Sequence, residues 1–199
     1  MLSWASRAAT RGVATPSEVV LVQDVVAARG LGRATFNLLW RHSSAATSSK
    51  RAVFVAIGSP PWSHADEAEV VDAFGGVALQ ATALDGAIAR CGDGERVVVA
   101  VDGLADVVHR QGAAAASRLL QTLRTRKGVA LVVSLLERDA IDAQEAAVVE
   151  HGIRAVAAAR AAQASCADLA LCDWRVRSER SGRETTSVEV ATLSVKGSG

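Results

Sequence analysis

The sequence predicts an α/β protein with a mostly parallel sheet. Short β-branched runs alternate with segments of helical periodicity, the run Val97-Val98-Val99-Ala100-Val101 ends in an aspartate, and two extended segments close the chain around a polar turn. Continuous rather than alternating apolar runs belong to strands covered on both faces, as in parallel sheets joined by helical crossovers.

The elements follow in order. Met1 to Ala14 contain Arg7 and Arg11, several serines and alanines, and no acid. That composition fits a mitochondrial transit peptide and equally a short amphipathic or frayed lead-in, so residues 1–15 are read as a flexible or helical lead-in and residues 16–199 as a single domain. Val19-Val20-Leu21-Val22, between Pro16-Ser17 and Asp24, is the first strand. After Gly30-Leu31-Gly32-Arg33, residues 34–42 place Phe36, Leu39 and Trp40 at i, i+3 and i+4, one face of a helix whose apolar side belongs in the core. A Ser/Thr-rich loop over residues 43–49 precedes the strand Val53-Phe54-Val55-Ala56-Ile57, which Gly58 and Pro60-Pro61 stop.

Ser63 and Asp66 read as a capping box for a helix carrying Val70, Val71 and Phe74 and ending at Gly75-Gly76. Residues 77–79 read as a short strand and residues 83–90 as a short helix. The strand at residues 97–101 delivers Asp102 to its carboxyl end, where open parallel sheets bind ligands. One helix follows, with Ala116, Leu119, Leu120 and Leu123 on a face, then the strand Val129-Ala130-Leu131-Val132-Val133 and a helix from near Asp139 carrying Ile141, Val148 and Val149. Residues 153–164 are alanine-rich, and alanine favours helix. Residues 169–176 and 188–195 flank the turn at 177–184 as an antiparallel hairpin.

Half of the 199 residues are hydrophobic, enough for one buried core, and the net charge of +1 exerts no strong pull on nucleic acid. No window holds the roughly 20 uninterrupted apolar residues of a membrane span. Cys91, Cys166 and Cys172 lack CxxC spacing, which argues against zinc and against a disulfide framework, so a reducing compartment is expected.

A nucleotide-gripping loop needs glycines that let backbone N–H groups wrap the phosphates, a lysine on the outer phosphates and a Ser or Thr hydroxyl on magnesium. With Gly32 aligned to the glycine before the lysine, Ala27 replaces the first glycine, Arg33 the lysine and Ala34 the hydroxyl. Thr35 lies about 100° away around the helix, and Arg33 lacks the compact ammonium. The candidate loop residues Gly30, Gly32, Arg33 and Thr35, with Asp102 at the strand end, therefore read as a degenerate RecA-like phosphate loop. No cofactor and no metal is expected.

The chain resembles the RecA-like accessory subunits of the Elongator complex, above all the family of its sixth subunit. Val19-Val20-Leu21-Val22-Gln23-Asp24 is similar to that family's first strand, Phe54-Val55-Ala56 with Trp62-Ser63-His64 to its second strand and aromatic-Ser-His signature, Ala73-Phe74-Gly75 to a helix end, and residues 99–102 and 129–133 to its central strands. Ala167-Asp168-Leu169 with the Gly182 turn is similar to the closing hairpin. The chain departs from the pattern at Ala65, where a tyrosine is usual, and at Arg180-Ser181-Gly182-Arg183, which replaces Asp-Val-His-Gly. The fifth-subunit family shares the strand-acid opening and the Gly-Arg step.

The resemblance implies a non-catalytic subunit of a hetero-hexameric ring with two other RecA-like subunits, the fourth and fifth. That ring binds transfer RNA and supports wobble-uridine modification, in the cytoplasm and also the nucleus. The alternative is a RecA-like ATPase or DNA-recombination mediator, mitochondrial if the N-terminal composition marks a transit peptide. His64 with Asp66 and Glu67 lies within one turn and reads as a helix start rather than a metal site or triad. Arg124, Arg126 and Lys127 read either as charges complementing a helix end or as RNA contacts. Arg180 and Arg183 of the hairpin, with Arg175 and Arg177, belong either to a solvated turn or to a subunit- or RNA-facing arm.

Overall fold

A computed structural model describes residues 1–10, 17–26, 30–47, 52–76, 79–92, 96–161, 169–180 and 183–194. They form six helices and eight strands: α1 (Leu2–Ala9), β1 (Glu18–Asp24), α2 (Leu31–Ala45), β2 (Ala52–Ala56), β3 (Ala68–Asp72), α3 (Ala81–Gly92), β4 (Val97–Val101), α4 (Leu104–Gln111), α5 (Ala113–Thr125), β5 (Val129–Glu137), α6 (Ala143–Glu150), β6 (Ala155–Ala161), β7 (Leu169–Arg180) and β8 (Arg183–Ser194).

The strands make one sheet in the order β3-β2-β4-β5-β1-β6-β7-β8. β1 to β6 are parallel, and β6-β7-β8 are successively antiparallel. The fold is thus the expected RecA-like α/β type with a C-terminal antiparallel hairpin. Two apolar layers result. Val97, Val99 and Val101 face the layer under α3 to α6, while Val98 and Ala100 face α1 and α2, where Phe36, Leu39 and Trp40 are all buried. This two-sided burial is why the central strands read as unbroken apolar runs. Among the described residues, no helix is long and apolar enough to cross a membrane.

Several expectations are corrected. Residues 63–74 form no α-helix: Pro61–His64 and Phe74–Gly76 are short 3-10 segments, and between them lies β3, parallel to β2 from Ala52↔Ala68 to Ala56↔Asp72. Adjacent valines lose side-chain freedom in a helix but suit a pleated sheet, so a vacant place beside β2 outweighs the capping signal. Gly75 ends no helix; it takes φ +67 in a turn after β3. Leu79 lies outside any strand, and residues 77 and 78 fall outside the described residues. The helix after β4 is two, broken at Gly112 with φ +83.

Residues 43–45 continue α2, with Ser43 and Ser44 buried. The helix expected from Asp139 begins at Ala143, where Asp142 caps it and Glu145 returns the capping bond, and Val148 is exposed. Residues 155–161 of the alanine-rich stretch are a strand, and residues 162–164 lie outside the described residues: Ala155 and Ala157 pair into the slot between β1 and β7, and that burial overrides alanine's helical preference. The hairpin strands run on to Arg180 and start at Arg183, consuming most of the expected turn. At the other end of the chain, α1 docks through Ala5, Ala8 and Ala9, with Trp4 edge-on to Trp174 at 5.4 Å.

Candidate functional site at the degenerate phosphate loop

β1 and β5 are neighbours, and their register places Asp24 beside Glu137 at the carboxyl end of the sheet. Between them, before α2, opens a cavity of about 390 Å³ lined by Asp24, Val26, Gly30, Glu137, Asp139 and Ala140. It lies where a RecA-like fold would grip phosphates, yet its charged wall is acidic. Ala27, aligned with the first glycine of the loop, lies outside the described residues.

The groups that would meet a phosphate are engaged within the chain. The Asp24 carboxylate accepts the N–H of Gly32 at 3.1 Å in the first turn of α2, the position of a helix-bound anion. A Cβ at residue 32 would lie 2.5 Å from the Asp24 Cα, so glycine here serves the approach of the chain's own aspartate. Gly30, with φ +80, enters the helix without a side-chain cap. Arg33 reaches Glu137 at 3.3 Å, and Val26 donates its N–H to Asp139 at 2.7 Å. The Thr35 hydroxyl turns back to the Leu31 carbonyl at 2.8 Å.

Burial pushes the Glu137 carboxyl above its ordinary pKa, and the Asp102 charge adds to this, while Arg33 works against it. One Glu137 oxygen, Oε2, is buried with no hydrogen-bond partner among the described residues. A phosphate entering this space would meet Asp24, Glu137 and Asp139 on its wall; one unpaired carboxylate charge about 4 Å from a phosphate charge repels it by about 4 kcal/mol at an effective dielectric near 20.

Asp102 is fully buried and tied to another task. It accepts the N–H of Ile57 at 2.6 Å, the N–H of Gly58 at 3.0 Å and the hydroxyl of Ser59. The approach depends on a glycine pair: a Cβ on Gly58 would sit 2.8 Å from the Gly103 Cα, and Gly103 has φ +68. Asp102 thus clasps the end of β2 to the end of β4.

The other candidates lie apart from the loop. His64 stacks on Phe54 at 4.0 Å and meets Trp40 edge-on at 6.2 Å. Burial lowers its pKa below 6.5, against the pull of Asp102 and Glu67, and its Nδ1 has no partner among the described residues. Glu67 pairs with Arg41 at 2.6 Å, and the described residues contain no cluster of three metal-ligating groups. At the opposite end of the sheet, Arg124 donates to the Ser17 carbonyl at 3.0 Å, and Arg126 holds Asp85 at 2.6 Å and the Ala81 carbonyl at 3.0 Å. Lys127 is exposed in the turn before β5. Arg180 and Arg183 are the closing register pair of the hairpin; Gly182, Ala167 and Asp168 lie outside the described residues.

Sequence reasoning missed Glu137 and Asp139. The apolar run continues through Leu135-Leu136 after Ser134, and following it to its end would have placed Glu137 at the carboxyl end of that strand; its place beside Asp24 follows only from the pairing of β1 with β5. Arg96 was missed as well; it clamps the Val129 carbonyl at 2.7 Å and Ser17 at 3.2 Å.

No family model matches the chain, and no curated protein matches it. Among solved structures it is similar to a protein of Pyrococcus horikoshii OT3 described as "Structural study of Project ID PH0250", with a TM-score of 0.51 at 12% identity, covering 73% of this chain and 83% of that one. At that identity the likeness shows the α/β fold alone.

Proposed function

We propose that this chain is a non-catalytic RecA-like scaffold subunit of the Elongator accessory ring, assembled with two related subunits, the fourth and fifth, and supporting transfer RNA binding and wobble-uridine modification in the cytoplasm and nucleus. The observation that carries the non-catalytic part is the self-occupied loop: Asp24 takes the helix N-terminus that a phosphate would use, and Glu137 takes Arg33. An anion already in place and more acid around it oppose nucleotide, while the eight-stranded sheet is kept. The Elongator part draws on the strand-acid opening and the Trp62-Ser63-His64 signature.

Affinity purification of the full chain from native extract tests the assignment, and two further RecA-like chains are expected as partners. Recovery of DNA-recombination factors instead, or a native N-terminus cleaved near residue 15, overturns it in favour of a mitochondrial mediator. Titration of the full chain with magnesium-ATP tests the loop separately. No saturable binding is expected, and binding that weakens on Arg33→Ala would establish an ATPase-type site.

A further inference from the structure

The two edges of the sheet differ. β3 is five residues long, and its surroundings are locally engaged: Arg90 reaches Glu69 at 2.5 Å, and the Asp72 carboxylate accepts the N–H of Phe74 at 2.9 Å. β8 runs twelve residues, and among the described residues no strand lies on its outer side. It contains no proline, its charges are confined to Arg183, Glu184 and Glu189, and it is rich in β-branched residues. Thr186, Ser187 and Val188 are exposed.

The β7-β8 ribbon also outruns its support. β6 pairs with β7 only between Ala170 and Val176, so residues 177–180 and their partners in β8 extend past it as two strands. In that overhang Glu179 stands opposite Glu184, and Arg180 opposite Arg183. Like charges at directly opposed positions destabilise an isolated ribbon, and two strands alone are marginal in water.

We propose that β8 pairs edge to edge with β8 of a second copy of this chain, antiparallel about a two-fold axis at Thr186. In that register Arg183 of each copy stands opposite Glu189 of the other, and Thr185 opposite Ser187, so the contact closes with two Arg–Glu pairs. Moving the axis half a residue or one residue either way puts Arg183 opposite Val188, Val190, Ser187 or Ala191, and the charge match is lost. A glutamate also enters the row that holds Arg180 opposite Arg183. The contact is self-complementary, as a closed dimer requires, and joins two eight-stranded sheets into one. It stands independently of the scaffold reading.

Analytical ultracentrifugation of the full chain over a dilution series tests this, with circular dichroism and thermal melts verifying the fold of each variant. The wild type is expected to dimerise. Arg183→Glu and Glu189→Arg each create two like-charge pairs and are expected to weaken the dimer about tenfold or more. Mixing the two variants restores both Arg–Glu pairs and is expected to recover dimer as the heterodimer, which a folding defect cannot mimic. A wild type that stays monomeric overturns the proposal, whether or not it captures RNA or another protein along β8. So do single variants that dimerise like the wild type, or a mixture that fails to recover.

Discussion

Replacing Asp102 separates a structural clasp from a catalytic aspartate. Its carboxylate is fully buried and receives two backbone N–H groups, from Ile57 at 2.6 Å and Gly58 at 3.0 Å, together with the Ser59 hydroxyl. Asp102→Ala strands the buried Ile57 N–H and leaves the part-buried Gly58 N–H to water; a buried unsatisfied donor costs about 1–3 kcal/mol and the lost charge-assisted bonds add to it, so a loss of about 2–4 kcal/mol is expected. For a chain of this size each kcal/mol moves Tm by about 2–4 °C, which makes the fall about 4–16 °C. Asp102→Asn keeps a carbonyl oxygen for the two N–H groups and turns an NH2 toward Ser59. It exchanges charged for neutral hydrogen bonds at a cost of about 1–2 kcal/mol. Urea unfolding of the two variants beside wild type, with the denaturant slope checked for constancy, measures both. Equal stability of all three proteins, or an alanine variant no worse than the asparagine one, would refute the clasp.

Gly32→Ala drives a Cβ to 2.5 Å from the Asp24 Cα and should destabilise by about 1–3 kcal/mol in a chemical melt; a neutral result would contradict the close approach. His64 has a folded pKa below its unfolded value of 6.5, so the unfolded chain binds the extra proton and stability should fall as pH drops from about 6.5 toward the lowered value. His64→Phe should flatten that slope in melts recorded across the range. Glu137 has the opposite sign: its folded pKa is raised above 4.5, so stability should fall as pH rises from about 4.5 toward the raised value, and Glu137→Gln should remove that loss. Trp4→Ala deletes the edge-on contact with Trp174 and should lower stability by about 1–3 kcal/mol, read as a lower Tm, whereas an unchanged melt would mean that this contact contributes nothing to the docking of α1.

Local signals were dependable where burial is two-sided. β1, β2, β4 and β5 are legible as apolar runs because any strand inside a parallel sheet must be apolar on both faces, whatever its neighbours are. β3 and β6 are not legible in this way. Val70-Val71 beside a Ser-Asp pair satisfies a helix template, and seven residues of β6 include five alanines whose intrinsic preference is helical. The candidate loop divides along the same line. The loss of its lysine, first glycine and hydroxyl is written in one short segment, residues 27–34, but what replaced the phosphate is not.

The chain by itself therefore determined the α/β class, the central strands, the closing hairpin and the absence of a standard phosphate-gripping loop, since each depends on residues close together in sequence. Only the tertiary structure decided that β3 and β6 are strands, that Asp24 lies beside Glu137, that Asp102 clasps residues 57–59, and that Arg180 faces Arg183 in register. These depend on strand order and register between residues that are in many cases far apart in sequence. Such pairings are settled by which slots in the sheet remain to be filled, a property of the packed whole rather than of any local segment.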